Sequence, residues 1–157
     1  MLDLQPPSPD NRYHQAHVNL LLDSYRRLLG EPLLDAVGDD FGRVVYEADF
    51  ALLSHNTDPD PLFNYANRKA LGLFELTWQE LVGMPSRFSA EPVNREERER
   101  LLAKVARQGY IDDYAGVRIA KSGRRFMIRG AVVWNVLDGE GRPYGQAACF
   151  SDWDWLA

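Results

Sequence analysis

Three histidines, His14, His17 and His55, carry the side chains of this sequence whose ordinary pKa lies nearest neutrality, so they are the first candidates for proton transfer or metal ligation. His14 and His17 stand three residues apart, a spacing that suits a metal on a helix. No nearby cysteine or third histidine supplies the remaining ligands of a closed site, and packing or surface roles are expected of both. Ser54, His55 and Asp58 contain the letters of a nucleophilic triad. Adjacent strand residues point to opposite faces, however, so Ser54 and His55 are not expected to meet, and His55 is expected to be buried against a backbone group or Asn56. Gly139 and Gly141 lie in a hairpin turn with no helix behind them, which removes a phosphate cradle. The remaining proton-transfer material is Asp112, Asp113, Tyr114 and His55. A small pocket enzyme would need one of those carboxylates buried beside the tyrosine or histidine in a single cleft.

The elements that position these groups are legible from periodicity. Val18, Leu21, Leu22, Tyr25, Leu28 and Leu29 recur at helical spacing from Tyr13 to Leu29, and Gly30 with Glu31-Pro32 stops the helix. Its apolar face covers either the domain's own sheet or a second copy of the chain; periodicity leaves both open. Residues 1 to 10 read as a loose tail, and Leu33 to Tyr46 as a short helix followed by a connector. Phe50–His55 and Leu62–Ala66 form a predicted hairpin across the turn Asn56 to Pro61. Ala70, Leu71, Leu73 and Phe74 make a brief helical stripe. Thr77 and Glu80 have the spacing of a capping box, so Trp78 to Val82 is predicted to be helical and closed by Gly83. Asn94 and Glu97 repeat that arrangement ahead of a helix from Arg95 to Gln108, with Leu101, Leu102, Val105 and Ala106 turned inward. Tyr110–Lys121, Arg124–Leu137 and Pro143–Trp153 read as strands, separated by Ser122-Gly123 and by Asp138-Gly139-Glu140-Gly141.

Length and composition limit the function classes. The 157 residues, 45% apolar and 26% charged, suit one globular domain. No run approaches the roughly 18 apolar residues of a membrane span, and the N-terminus lacks the features of a signal peptide. With Cys149 the only cysteine, a cytoplasmic setting is expected. The net charge of -5 argues against nucleic acid as a partner. Arg95, Arg98 and Arg100 alternate with Glu96, Glu97 and Glu99 and read as a solvated mixed face.

Phe63-Asn64-Tyr65-Ala66-Asn67, leading from a strand into short helices, resembles the corresponding part of PAS-type sensor domains. Together with Pro85-Ser86-Arg87, Ser89-Ala90-Glu91-Pro92 and Gly123-Arg124-Arg125-Phe126, it is closer still to the MEKHLA domain, a PAS-related family; the resemblance runs from about Phe50 to Trp153. It implies an α+β fold: a PAS-like five-stranded antiparallel sheet with short helices on one face and an N-terminal flanking helix. Residues 1–46 would form the tail, flanking helix and connector, and 47–157 the PAS-like domain. The implied function is a non-catalytic sensory or regulatory module that binds a small ligand, a protein partner or both. With no output module expected in the chain, the receiver would be another chain, and a homodimer is one form of it.

The family's known cofactors meet obstacles here. Flavin-binding members use a cysteine in a segment that corresponds to Gly83–Ser89, which has none, and haem-binding members use a histidine on the long helix, which is also absent from Asn94–Gly109. Cysteinyl-flavin photochemistry and haem are therefore disfavoured, and the ligand is unknown. A pocket between sheet and short helices is expected to be lined by Tyr65, Met84, Phe88, Trp134, Gln146 and Phe150, with Arg118, Arg129 and Asn135 as polar anchors, unless these residues simply fill the core. Gln146 and Phe150 share a strand face with Ala148. A buried Gln146 amide needs a partner, which a ligand, a water or Arg129 would supply. Cys149 points the other way, and Trp78, Trp134, Trp153 and Trp155 are expected in the core or an interface.

Overall fold

In the computed structural model, residues 2–35 and 40–157 are described. A first helix, α1 (Gln15–Leu29), ends where Gly30 takes a φ of +79° and donates its N–H to the Arg26 carbonyl. After it come α2 (Phe41–Tyr46), the hairpin strands β1 (Ala51–His55) and β2 (Phe63–Ala66), and the short helices α3 (Arg68–Phe74) and α4 (Trp78–Leu81). The long helix α5 (Pro92–Gln108) leads to β3 (Tyr110–Ile119), β4 (Arg125–Leu137), β5 (Pro143–Phe150) and β6 (Asp152–Trp155). No helix among the described residues is long and apolar enough to cross a membrane.

The strands form one antiparallel sheet in the order β2-β1-β5-β4-β3. β6 pairs with β4 in the register of β5: Val132 faces Cys149, and Arg129 faces Asp152. It therefore continues β5 beyond Ser151, so the expected five-stranded PAS-like sheet is present with the last strand along the chain interrupted once.

Alternation gives the sheet two distinct faces. Ser54, Tyr65, Ala147 and Trp134 lie across from one another on one face, and Leu53, Ala148 and Val133 on the other. α1 covers the first face. Its Val18, Leu21 and Tyr25 are buried; Tyr25 meets Trp134 edge-on at 4.9 Å, the Trp134 Nε1–H donates to the Leu21 carbonyl (3.0 Å), and the Leu137 N–H donates to Ser24 Oγ (2.9 Å). Burying such side chains contributes about 1.5–3 kcal/mol apiece, enough to hold a flanking helix without a second copy. α3 and α5 lie over the other face, where Leu101 and Val105 pack against Val133.

Four local expectations are corrected. The first residues are docked, not loose: Pro7 is buried, the Trp78 Nε1–H donates to the Asp3 carbonyl (3.0 Å), and His14 stacks on Trp78. Between Leu33 and Tyr46 the helix comes last, at Phe41–Tyr46, where the Asn67 amide donates to the Val45 carbonyl; Glu31–Asp35 is not helical and residues 36–39 lie outside the described residues. α5 begins at Pro92, because proline at a helix's first position has no N–H to lose and a φ already suited to the helix, so Asn94 lies inside the helix and not at its cap. Ala106 is exposed, one position past the buried Val105.

Candidate functional site

A cavity of about 80 Å³ lies between the second sheet face and α5. Its walls are largely apolar, with Leu53, Val133, Ile128 and Phe150 among them, yet Arg98, Arg118, Tyr114, His55 and Gln146 also border it. Each polar group is placed by a local feature of its element. Arg98 stands three residues before Leu101 and seven before Val105, so it shares their inward stripe. It is 6% exposed, and its Nη2 donates to Ser86 Oγ, while Ser89 Oγ in turn donates to the Ser86 carbonyl (2.7 Å).

Tyr114 and Arg118 come from β3, whose ladder with β4 slips on both sides of Tyr114. Asp113 takes a φ of +57° at that irregularity, which re-aims the side chains that follow. A Cβ on Gly116 would stand 2.2 Å from the Tyr114 hydroxyl oxygen, so only glycine lets the ring lie back over the strand. The Tyr114 hydroxyl donates to the Glu97 carboxylate (3.2 Å) and accepts from Arg118 Nη2 (3.2 Å). Arg118 Nη1 donates to the Val117 carbonyl (2.8 Å), and the residue is 8% exposed.

Burial, joined by the Arg118 charge, pulls the Arg98 guanidinium down to about 10, so it is cationic at neutral pH. Burial raises the Tyr114 hydroxyl, against the opposing pull of Arg118. His55 is held down at about 4 by burial, against the opposing pull of the Asn56 carbonyl; the Arg98 charge lowers it further and the Gln146 side chain acts to raise it. A neutral His55 donates from Nδ1 to that carbonyl (3.0 Å), as expected from sequence, which leaves Nε2 a bare acceptor; that atom is buried without a partner. Asp112 and Asp113 are exposed and take no part in the cavity. The titratable groups facing it are two cations, a neutral imidazole and a phenol, a set suited to binding rather than to removing a proton.

Of the pocket lining and polar anchors expected from sequence, Arg118, Gln146 and Phe150 border the cavity, as do His55 and Tyr114 from the proton-transfer candidates. Asn135 sits beside Gln146, whose amide donates to Asn135 Oδ1 (3.1 Å) and to the Leu102 carbonyl (3.2 Å). Those bonds, not Arg129, answer the need for a partner. Arg129 is exposed and pairs with Asp154. Tyr65 and Trp134 lie on the α1 face, Tyr65 between His17 (5.5 Å) and Trp78 (5.7 Å). Met84 is half-buried at the β2 edge, where its carbonyl accepts from the Phe63 N–H, and Phe88 is exposed under the Arg87 and Arg95 guanidiniums. Trp78 and Trp134 are in the core, whereas Trp155 is exposed beneath Arg124. Reading the Arg95–Arg100 run as wholly solvated missed Arg98. The signal was its place on the Leu101–Val105 stripe.

A second polar cluster joins α1 to the sheet. Ser54 donates to Asn64 Oδ1, so His17 Nε2–H donates to Ser54 Oγ (2.9 Å) and the Tyr144 hydroxyl donates to His17 Nδ1 (2.7 Å). In this arrangement His17 donates its hydrogen bond to Ser54 and accepts none from it, so the serine is not activated. Burial, then His14, lowers His17 to about 4. Ser54 and His55 themselves stay on opposite faces. Among the described residues no group of three or more His, Cys, Asp or Glu is placed to hold a metal.

A flavin does not fit the inner cavity. Pockets for ligands of that class occupy roughly 300–1,000 Å³, well above the volume here, and Cys149 lies on the α1 face with burial pushing its thiol up to about 12.

Solved structures with this arrangement are PAS and light-oxygen-voltage domains. The PAS domain of a protein from Colwellia psychrerythraea matches with a TM-score of 0.58 at 13% identity, over 73% of this chain and 92% of that one. A light-oxygen-voltage domain solved in work on a flavin analogue gives 0.59 at 18% identity, over 74% and 84%. An RNA-binding light-oxygen-voltage receptor gives 0.57 at 20% identity, over 70% of this chain and 31% of that one. These likenesses establish the PAS-like fold. Among curated sequences, the homeobox-leucine zipper proteins HOX9 of Oryza sativa subsp. indica (25% identical over 139 residues) and HOX29 of Oryza sativa subsp. japonica (27% over 145) each match 87% of this chain. ATHB-9 of Arabidopsis thaliana matches 82% of it at 25% identity. The chain spans 16% of the length of each of these relatives. The family model for the MEKHLA domain matches residues 15–155, taking in α1 as well as the whole sheet, and the chain accordingly belongs to the MEKHLA domain family.

Proposed function

We propose that this MEKHLA domain is a sensory or regulatory module that takes a small ligand in its inner cavity and reports occupancy to a protein partner, without catalysing a reaction. The observation that carries this reading is the largely apolar cavity bordered by buried polar groups with unmet capacity, chiefly the His55 Nε2 atom. An unpaired buried polar group costs on the order of 1–3 kcal/mol, which an occupant able to donate to it would recover. A route outward is present as well. Arg118 reaches the half-buried Glu97 through the Tyr114 hydroxyl, so an occupant that drew Arg118 inward would loosen the β3 irregularity from α5.

The partner in this reading is a second copy of the chain or a different protein. The apolar stripe of α1 is already covered by the sheet, so a second copy would dock elsewhere. The lone buried cysteine suits a reducing compartment, the cytoplasm in our reading. Native mass spectrometry with absorption spectroscopy on freshly purified protein tests the proposal: a retained small mass without visible absorption is expected, and the same spectra report whether the chain is single or paired. No retained mass, together with no thermal stabilisation by any member of a broad metabolite set, would sink it.

A further inference from the structure

Arg98 and Arg118 are both almost wholly buried at one cavity, and among the described residues neither forms an ion pair. Buried cations without a counter-charge are costly, and replacing such groups by apolar residues of similar volume is often stabilising. Retaining two of them side by side needs a reason. The acid linked to Arg118, Glu97, is reached only through the Tyr114 hydroxyl, and Glu99 and Asp60 act on Arg98 through space without forming an ion pair with it. Among the described residues, Ser86 Oγ is the one acceptor that Arg98 meets, which leaves most of its donor fork unused. His55 adds an unpartnered acceptor at the same cavity.

We infer that the cavity takes a small hydroxy acid, its carboxylate gripped by Arg98 and Arg118 and its hydroxyl donated to His55 Nε2; this rests on the ligand-binding reading above. A guanidinium fork matches a carboxylate in two parallel hydrogen bonds. The inner volume of about 80 Å³ suits a small occupant rather than a large one. Leu53, Val133 and Phe150 suit a short carbon chain. Inorganic phosphate fits less well, because its oxygens point in every direction and those facing this apolar wall would lack donors.

Calorimetry and thermal unfolding of the full chain with lactate, propionate, lactamide and inorganic phosphate test the assignment. Lactate is expected to bind at one saturable site and propionate about 10-fold more weakly, the worth of one hydrogen bond to a buried acceptor. Lactamide and phosphate are expected not to bind. Arg98→Met and Arg118→Met should unfold at the same or a higher temperature without ligand, yet lose lactate binding at least about 10-fold. Arg118→Lys keeps the charge and loses the fork; it should weaken lactate by a similar factor and serves if a Met variant does not fold. His55→Phe should bring lactate and propionate to equal affinity. Lactamide binding as well as lactate, phosphate binding alone, or folded Met variants that bind lactate unchanged would each overturn the inference, and equal affinities of the unaltered chain for lactate and propionate would overturn the His55 contact. If none of the carboxylates binds while mass spectrometry finds a retained neutral molecule, the hydroxy acid falls and the ligand-binding reading stands. If both are blank, both fall.

Discussion

At the scale of single residues, Asn67 does most to tie the fold together. Wholly buried at the end of β2, its Oδ1 accepts from the Leu52 and Ala70 N–H groups (both 3.1 Å), and its Nδ2 donates to the Val45 (3.0 Å) and Phe50 (2.8 Å) carbonyls. One side chain thus caps α3 and joins it to β1 and α2. Asn67→Ala leaves four backbone groups, three buried and one part-buried, without that partner, and a loss of about 3 kcal/mol or more is expected, read as a lower urea midpoint. Asn67→Asp keeps the acceptor and loses the donors, so its loss should be smaller; equal or negligible losses for the two variants would show that the network does not matter. The sequence marks Asn67 as the end of a strand, because apolar alternation stops there. Its bonds to residues 15–22 positions earlier leave no local trace, and neither does the His17–Ser54–Tyr144 cluster, whose members are far apart along the chain. Arg98 was different: its burial followed from a stripe that was present and was outweighed by the charge around it.

At the scale of elements, what was legible is what local chemistry decides. Gly30 stops α1, the Thr77–Glu80 capping box starts α4, and the two hairpin turns separate β3, β4 and β5, all as read from the residues. Asn94 and the first residues were misread because two local signals competed or because docking is tertiary: Pro92 outranks Asn94 as a helix start, and Trp78 holds the tail. The position of α1 was open for the same reason, since a stripe shows that a face is buried and not against what. Leu21 tests its docking on the sheet. Leu21→Ala is expected to cost about 2–4 kcal/mol, as for a fully buried leucine, and to weaken protection of α1 amides from hydrogen exchange more than those of α5. Uniform loss of protection would mean that α1 and the sheet open as one unit. Within β3, Gly116→Ala should push the Tyr114 ring off the strand and break its bonds to Arg118 and Glu97. The expected sign is a higher exposure of Tyr114 in its fluorescence or ultraviolet absorption; an unchanged tyrosine environment would show that the ring does not depend on the missing Cβ.

For the whole molecule, the two buried histidines make stability depend on pH in a definite direction. His17 fastens α1 to β1 and β5, and His55 lies at the cavity on the other face; both are held at about 4, mainly by burial. In the unfolded chain each returns to its ordinary value near 6.5. As pH falls from 6.5 towards 4 the unfolded state binds protons that the native state refuses, so stability is full above about 6.5 and declines through that window. Between pH 7 and pH 5 the loss is on the order of 2 kcal/mol for each histidine. Urea unfolding at those two values should show it as a fall in midpoint with an unchanged slope. Glutamine at both positions offers amide donors and acceptors but no proton uptake, so the double variant His17→Gln, His55→Gln should lose most of the difference between pH 7 and pH 5, whatever its absolute stability. Equal midpoints for the unaltered chain at the two pH values, or a drop that survives in the double variant, would mean that these two side chains are not held neutral. The single variants then separate the faces: His17→Gln removes the part of the drop that belongs to α1 docking, and His55→Gln the part that belongs to the cavity.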